Sequence, residues 1–454
     1  MRKAGVRLMA VSAALACFSP ALANQSGNAA DDALVSAIRA NDLASAQAAL
    51  ARRANPNQPQ PYGATPLAMA INTQNPEMVD TLLAAGAKTD VADVEGVTPL
   101  ALACELGDGE IVAKLLDSKA NVTSAAPDGT TPIAICARHG PANSVARMLA
   151  MGAKPDSIDA RGQTPLMWAA STGRVETIAL LLKAGAQVNR VSSGGFTPLF
   201  FAIKSGVPAA SEALLKGGAD PDHRGPENTS AAQLAVYQHN YAAAALLVER
   251  GANIAERDRH GNQLLHAAAA GGDSMLIQLL LAKGADPNGL TGPSKITWVT
   301  EANFGVPPPP IPPTPPLLSA AENGRAEAMK LLVAAGANPR FVADNGVNVV
   351  LAAAKGGSAA ALDYALSLAP DVNAVDAKGE TALHWVLFGG VKPELEAMLQ
   401  VLAKHGARTD IKDKGGHTAA AAGDNGLTEV RVIFRKVFAN EIHVGFTQND
   451  RVQA

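Results

Sequence analysis

The dipeptide Thr-Pro recurs at a constant interval along this chain of 454 residues. Each pair follows the one before by the same number of residues, and the same step continues to Ser230 and Gln263, where Ala- and Leu-rich segments begin. The five pairs are Thr65-Pro66, Thr98-Pro99, Thr131-Pro132, Thr164-Pro165 and Thr197-Pro198. A fixed period in the range of about 20 to 50 residues is typical of a protein built from stacked structural repeats. The period therefore constrains the fold more than any other feature of the sequence.

Each period predicts two short helices. Thr164 is suited to cap a helix that begins at Pro165, because a proline loses nothing by lacking an N–H group at that position. Apolar residues then recur at helical spacing, and Gly173 tolerates the positive φ with which a helix often ends. A second apolar helix follows and closes at Gly185. One such pair leaves an apolar side uncovered, so neighbouring pairs must stack on one another.

The pattern G-x-T-P-L-x-x-A-A-x-x-G, followed by V-x-x-L-L-x-x-G-A-x-x-N, resembles the ankyrin repeat. The Thr position of successive units falls at residues 32, 65, 98, 131, 164, 197, 230, 263, 315, 348, 381 and 418. The resemblance implies an all-α solenoid of about twelve helix-turn-helix units. Short first helices would line a concave face, and β-turn fingers would project between repeats. Apolar residues make up 48% of the chain and aromatic residues only 4%, which agrees with a core of Ala and Leu.

Several units depart from the pattern. We expect the repeats to span residues 31–438, with a C-terminal tail at 439–454. The step from unit eight to unit nine is longer than the period, which places an insertion at about 289–314. Unit eleven has four residues more than the period, which predicts about one added turn of helix. Units seven and ten begin at Ser230 and Asn348 without Thr-Pro, which predicts that they are the weakest links when the repeats unfold progressively.

Residues 1–23 have the features of a cleaved secretion signal. Three basic residues precede an apolar run, and a small-residue cleavage motif ends at Ala23. The apolar run is too short to span a bilayer. We therefore expect a periplasmic or secreted protein that begins with a short linker at 24–30. An alternative interpretation makes Cys17 the lipid-modified first residue of an anchored form.

Charge and motifs restrict the function classes. Removal of the three signal cations takes the formal net charge from −3 to −6, which argues against a general nucleic-acid binder. The sequence contains no H-E-x-x-H, C-x-x-C or G-x-S-x-G motif and no Gly-Lys pair. These are the motifs of metal, redox, hydrolase and phosphate sites. We expect no catalytic residues, no metal, no cofactor and no transmembrane segment, in a chain that is monomeric.

Cys104 and Cys136 lie in the first helices of units three and four, where other units have Ala. One interpretation is a disulfide, which an exported protein would keep oxidised. The other is a pair of small buried side chains. Equivalent positions of packed helices lie about 8–10 Å apart, whereas a disulfide spans at most about 7 Å between Cα atoms. This distance favours two separate thiols.

The insertion has its own composition. Trp298 and Phe304 precede the segment from Pro307 to Pro316, in which eight of the ten positions are proline. Such a run predicts an extended polyproline II conformation. Two interpretations remain open. The segment is a solvated spacer, or Trp298 and Phe304 belong to an element that docks a partner or covers the concave face.

The resemblance also implies which residues contact a partner. In the family, contacts concentrate on the fingers and on the two residues before the Gly that ends the first helix. In this sequence these positions include Arg138, His139, Arg161, Phe196, Lys204, Arg224, Tyr237, Arg257, Arg259 and His260. Arg and Tyr are favoured where interfaces carry binding energy. The family's T-P-L-H motif implies that His266 and His384 bond to the loop backbone, and we expect Trp168 and Trp385 to serve packing.

Together these features predict an exported scaffold that binds a partner protein through its concave face and finger loops. An alternative is a structural spacer of the cell envelope that is anchored by a lipid. A more remote alternative, supported only by the cysteine pair, is a redox protein that depends on thiol–disulfide exchange.

The signal assignment predicts that the mature chain begins at Asn24, because the cleavage motif ends at the residue before it. Mass spectrometry of the N-terminal peptide of exported protein measures this directly. A mature chain that begins with a lipid-modified Cys17 would contradict the prediction and identify an anchored form.

Overall fold

The chain folds into successive pairs of α-helices. The computed structural model describes residues 29–294, 312–368 and 371–439. Within these residues, 24 α-helices follow one another as twelve pairs, with only isolated β-bridges and no strand. The predicted all-α architecture of about twelve helix pairs is therefore confirmed.

The helices are short and regular in length. The first helices of the twelve repeats are α1 (Ala29–Arg39), α3 (Pro66–Asn72), α5 (Pro99–Leu106), α7 (Pro132–His139), α9 (Pro165–Ser171), α11 (Pro198–Ser205), α13 (Ala231–Tyr237), α15 (Leu264–Gly271), α17 (Pro316–Glu322), α19 (Val349–Gly356), α21 (Ala382–Phe388) and α23 (Ala419–Asn425). The second helices are α2 (Leu43–Ala51), α4 (Pro76–Ala84), α6 (Gly109–Asp117), α8 (Ala142–Ala150), α10 (Val175–Lys183), α12 (Pro208–Lys216), α14 (Tyr241–Glu249), α16 (Ser274–Ala282), α18 (Ala326–Ala334), α20 (Ala359–Leu368), α22 (Leu395–Lys404) and α24 (Thr428–Val437). Helix α1 begins two residues before the predicted start of the repeats.

The first helices begin as the Thr-Pro motif predicts, and the two substituted starts are also capped. The hydroxyl of Thr164 accepts a hydrogen bond from the backbone N–H of Met167 at 3.3 Å. Ser230 forms a full capping box with Gln233, and the Asn348 side chain accepts two backbone N–H groups at 3.0 Å each. Ser and Asn cap helices as well as Thr does. The premise that units seven and ten lack a side-chain cap at the first helix is therefore wrong, whereas their rank in unfolding stays a prediction.

Contacts group the described residues into two compact units. The first unit comprises the residues up to Ala103 together with Glu110–Asn121, and the second comprises Cys104–Gly109 and the residues from Val122 onward. In the first unit, α1 packs on α2 and α3, and α4 packs on α2 and α3. In the second unit, each first helix from α7 onward packs on the next first helix, and each second helix packs on the next second helix.

The core of the second unit is made of small and aliphatic side chains. Ala169 and Ala170 of α9 and Ile178 and Leu181 of α10 are fully buried. Alanine allows two helix backbones to approach closely, so the first helices of neighbouring repeats cover one another. Truncation of one buried Leu or Ile to Ala costs about 2–5 kcal/mol. Because these side chains are covered by neighbouring repeats, the stability of each repeat depends on its neighbours.

The insertion leaves the contact between repeats eight and nine intact. Helix α15 packs on α17 and α16 on α18, as neighbouring repeats do elsewhere in the second unit. The Asn288 side chain donates to Gly336 O at 2.9 Å and accepts from Asn338 N at 2.7 Å, which matches the bonds of Asn189 in an earlier repeat. Thr291 N also donates to Thr314 O at 3.0 Å. Trp298 and Phe304 lie outside the described residues.

Most of the extra residues of unit eleven lie in a loop and not in a helix. Helix α22 has ten residues, one more than a typical second helix such as α18, and the connection before it spans residues 389–394. In that connection Lys392 donates to Lys355 O at 2.8 Å, and Glu394 accepts from Ala359 N at 2.8 Å. The prediction of an added helical turn is therefore wrong, because these side chains bond the loop to repeat ten.

Cys104 and Cys136 form a disulfide, with Cα atoms 4.6 Å apart. Both side chains are fully buried. The longer separation expected from the sequence assumed that the two cysteines occupy equivalent positions in their repeats. Their sequence separation is 32, one less than the period, so their positions differ by one residue and their side chains point towards each other. The prediction of separate thiols is wrong for this reason.

The two histidines bond to the loop backbone as the resemblance implied. His266 is buried, accepts the backbone N–H of Gln263 at 3.3 Å and donates from Nε2 to Thr314 O at 3.0 Å. His384 makes the corresponding contacts with Thr381 N and His417 O. Each ring therefore joins its own helix start to the finger of the next repeat.

Replacement of residues 295–311 with a short Gly-Ser linker should leave the thermal midpoint nearly unchanged. The contacts that the structure describes between repeats eight and nine are made by residues outside the replaced segment, and loop length changes stability by only about 0.6 kcal/mol per doubling. Circular dichroism melting compares the two chains. A midpoint lowered as much as by truncation of a buried Leu would show that the segment packs into the repeats.

Reduction of the disulfide should lower the free energy of unfolding of the second unit by about 3–4 kcal/mol, because the loop that it closes becomes free in the unfolded chain. Urea unfolding with and without reductant measures the change. The Cys104→Ala/Cys136→Ala chain is the control and should not respond to reductant. Two titratable thiols in the folded, air-oxidised protein would contradict the assignment.

The stability of repeats eight and nine should fall as the pH drops below about 6.5, the ordinary pKa of an imidazole. Burial lowers the pKa of the His266 imidazole below its ordinary value, so the unfolded chain takes up a proton at a higher pH than the folded chain does. Acid therefore favours unfolding, and the loss levels off below the folded pKa. Hydrogen exchange as a function of pH measures this. The His266→Gln variant should be less stable than the unaltered chain at pH 8, and its stability should depend less on pH. A variant whose stability depends on pH as strongly as that of the unaltered chain would contradict the assignment of this effect to His266.

Candidate functional site

Equivalent positions on neighbouring first helices form rows along the second unit. Helices α7, α9, α11 and α13 pack side by side in that order. The fifth residue of each capping motif, counted from the Thr position, is half-buried in all four: Ile135, Trp168, Phe201 and Leu234. Three positions further along, the row is Arg138, Ser171, Lys204 and Tyr237. We call these two rows, together with the fingers at 157–163, 190–196, 223–229 and 256–262, the first-helix face.

Buried aspartates determine the shape of the fingers. Asp159 is 7% exposed and accepts the backbone N–H groups of Arg161 and Gln163 at 2.9 and 2.8 Å. Asp258 does the same for His260 and Asn262 at 2.7 and 2.8 Å. The turn at Gly162 has φ +68°, a conformation that favours glycine. Because the carboxylates fix the turns, residues such as Arg161 and His260 are held on the exposed side of each finger.

Two arginines contact the ring of Trp168. The Cζ atom of Arg138, in the last turn of α7, is 5.2 Å from the centre of the indole ring, and that of Arg161 is 5.8 Å from it. Both distances are within the range of cation–π attraction. The sequence predicted both arginines as contact residues but assigned Trp168 to packing. The sequence separation between Arg138 and Trp168 is three residues shorter than the repeat period. This separation is the sequence signal from which their contact could have been predicted.

Aromatic side chains continue on the next repeat. Phe196 is 37% exposed, and its ring centre lies 6.0 Å from that of Phe200 and 6.2 Å from that of Phe201. Lys204 is exposed at the end of the same helix and has no ion-pair partner in the described part of the chain. His139 is also exposed, next to Arg138. These residues are accessible as the sequence predicted.

Tyr237 joins a first helix to the following finger. Its hydroxyl donates to the carboxylate of Asp258, and its side chain remains 43% exposed. Burial, followed by the hydrogen bond with Asp258, raises the pKa of the Tyr237 hydroxyl above its ordinary value. The ring therefore stays neutral and presents an apolar side next to the finger at 256–262.

Three predicted contact residues bond within the protein. Arg224 pairs with Glu256, and Arg259 pairs with Glu227 at 2.7 Å. The pairs connect the two fingers at 223–229 and 256–262. Arg257 donates to Gly261 O at 3.1 Å and to Leu290 O at 2.6 Å. These three arginines therefore stabilise the fingers, a role that the sequence did not predict. The same side chains can also contact a partner.

Seven of the predicted contact residues therefore fall into two groups. Arg138, Arg161, Phe196 and Lys204 cluster on neighbouring repeats of the first-helix face, with Trp168 and Phe201 between them. Arg224, Arg257 and Arg259 stabilise the fingers.

In residues 29–294, 312–368 and 371–439, no group of three or more His, Cys, Asp or Glu side chains is placed to hold a metal ion. None of the helices described there is long and apolar enough to cross a membrane.

A family model matches most of this chain. The model described as ankyrin repeats (three copies) matches residues 34–126, 133–225, 199–290 and 317–413, which together cover well over half of the sequence. The search of curated proteins found no match to this chain.

Proposed function

We propose, since the chain belongs to the ankyrin-repeat family, that it is an exported scaffold that binds a partner protein through its first-helix face. Ankyrin repeats generally serve as protein–protein interaction modules, and members of the family are typically binding scaffolds without enzymatic activity. The proposal adds three specific points to this general role: the face, the residues and the compartment.

The observation that carries the proposal is the side-chain content of the first-helix face. A chain with only 4% aromatic residues places Trp168, Phe196 and Phe201 on two neighbouring repeats, each at least partly accessible. Arg138 and Lys204 lie at equivalent positions beside them. Trp, Tyr and Arg are the residues that most often dominate binding energy in interfaces. Side chains that served the core alone would be enclosed by the neighbouring repeats.

Two features support export. Residues 1–23 have the pattern of a secretion signal, and Cys104 and Cys136 are joined in a buried disulfide. Structural disulfides persist in oxidising compartments and are rare in the cytosol of most organisms. The two features are independent of each other, since one lies outside the repeats and the other lies between two of their helices.

The test is capture of partners by immobilised mature protein from an envelope extract of the cells that make it, followed by quantitative mass spectrometry. Phe196→Ala/Lys204→Ala removes two exposed side chains of the face and should lower capture of the specific partner by about tenfold, the loss expected when interface residues of moderate energy are removed. Glu176→Ala/Lys183→Ala removes two exposed side chains of the second helix α10 and should not lower capture.

Equal capture by both variants and the unaltered chain would show that the first-helix face is not the binding surface. Circular dichroism of each variant establishes that the repeats remain folded. The chain with residues 295–311 replaced goes through the same assay, and its loss of capture would add Trp298 and Phe304 to the proposed interface.

A further inference from the structure

Arg138, Arg161 and Trp168 form a group that differs from every other arginine-containing contact of the fingers. We call it the Trp168 cluster. Both guanidinium groups lie within about 6 Å of the centre of one indole ring, the reach of a cation–π contact. A planar guanidinium that stacks on an aromatic face keeps the N–H groups at its edge free for a further acceptor. Arg224, Arg257 and Arg259, by contrast, direct theirs to Glu256, to backbone carbonyls and to Glu227.

The hydrogen-bonding capacity of the cluster is largely unused. Across the described residues, the Arg138 guanidinium makes no ion pair, and its Nε atom is buried without a hydrogen-bond partner. Arg161 reaches only Asp159, at 3.5 Å, and its side chain is 65% exposed. The two backbone N–H groups bond to the other oxygen of that carboxylate. Among the described residues, the Arg138 guanidinium therefore has no acceptor, and the Arg161 guanidinium has one long contact.

Comparison of two tryptophans gives a second, independent observation. Trp385 occupies the position in repeat eleven that Trp168 occupies in repeat five, and its Nε1 donates to the finger carboxylate of Asp376 at 3.3 Å. The Nε1 of Trp168 is buried and has no partner within the described residues. Buried N–H groups are nearly always bonded in folded proteins. The equivalent carboxylate in repeat five is that of Asp159, whose Oδ2 is contacted by Arg161, so the Nε1 of Trp168 is left without an acceptor among the described residues.

We propose that the Trp168 cluster binds carboxylate groups of an acidic segment of the partner protein. This inference rests on the proposed function and specifies the chemistry of the partner. A carboxylate presents two oxygens that match the paired N–H groups of a guanidinium, and the two guanidinium groups beside one ring donate to two neighbouring acidic residues. The half-buried Ile135 and Phe201 flank Trp168 on the neighbouring helices and contact apolar residues of the same segment.

A protein carboxylate fits the cluster better than the phosphates of a nucleic acid. A phosphate-backbone binder needs a run of cations over a large surface. Here two arginines have Asp159 beside them and Glu105 and Asp128 on the preceding repeats, and the net charge of the chain is −3. These acidic neighbours disfavour a long polyanion and leave one small cationic site, which suits an acidic side chain between apolar neighbours.

The direct test uses full-length protein and a fluorescein-labelled peptide, Gly-Glu-Glu-Leu-Glu-Glu-Gly, with fluorescence anisotropy as the readout. A peptide with Gln in place of each Glu and an oligothymidylate are the comparison probes. We expect the acidic peptide to bind about tenfold or more tightly than the Gln peptide, and sodium chloride to weaken it. Absence of binding to the acidic peptide at millimolar concentration, or tighter binding of the oligothymidylate, would overturn the proposal.

Variants locate the binding. Arg138→Gln/Arg161→Gln should weaken the acidic peptide about tenfold or more. Lys183→Gln/Lys283→Gln removes the same charge from the second-helix side and should leave binding unchanged. Trp168→Phe should weaken binding, whereas the matched Trp385→Phe should not. Equal affinities for the arginine variant and the unaltered chain, or equal effects of the two tryptophan changes, would contradict the assignment to the cluster.

The partner-capture assay distinguishes this inference from the proposed function. If Phe196→Ala/Lys204→Ala loses the partner while Arg138→Gln/Arg161→Gln retains it, the first-helix face binds the partner and the carboxylate assignment fails. If all of these variants capture the partner as the unaltered chain does, the proposed function itself fails. Loss in both variants, with the second-helix control unaffected, supports both.

Discussion

The constraint on which the rest of the structure depends is that no repeat can cover its own apolar surface. Helices of seven to ten residues, such as α9 and α22, are too short to be stable alone in water. Stability therefore comes from contacts between neighbouring repeats, and the residues that make them are small. Ala169 and Ala170 are fully buried between first helices, where a larger side chain would separate the backbones. Positions that face away from these contacts are free to carry side chains for another purpose, and Trp168 and Phe201 occupy such positions.

The fingers add a second constraint, because they consist of turns with few apolar contacts. Their shape comes from buried carboxylates that accept backbone N–H groups, as Asp159 and Asp258 do. Bonds between consecutive fingers, such as Ser193 N to Arg161 O at 2.9 Å, and ion pairs such as Arg259 with Glu227 hold neighbouring turns together. A loop fixed in this way can present an exposed side chain with little loss of conformational entropy on binding.

The sequence predicted the parts of the fold that depend on local chemistry. Thr164-Pro165 gave a helix start and Gly173 a helix end because capping and backbone freedom act over a few residues. The failed predictions for the two cysteines and for unit eleven depend on contacts between repeats. The one-residue offset of Cys104 and Cys136 brings their Cα atoms to 4.6 Å, which an average helix spacing does not reveal. Trp168 and Trp385 occupy the same place in the motif, so the sequence predicts the same hydrogen bond for both. Only the structure shows that the Nε1 of Trp385 donates to its finger carboxylate and that the Nε1 of Trp168 does not.

Cys136 of the disulfide and Arg138 of the Trp168 cluster lie on the same helix, α7, and this proximity has a consequence for binding. Cys136 is two residues before Arg138 in α7, and its bond to Cys104 fixes the middle of that helix. The end of the helix is fixed as well, because the carbonyls of Arg138 and His139 accept from the side chains of Thr172 and Arg174 at 3.2 and 3.3 Å. The backbone that carries Arg138 is therefore held at two points before any partner arrives. A long side chain on a fixed backbone loses less entropy on binding than one on a mobile loop, so the covalent bond between repeats three and four helps to preorganise the first-helix face as well as stabilising the fold.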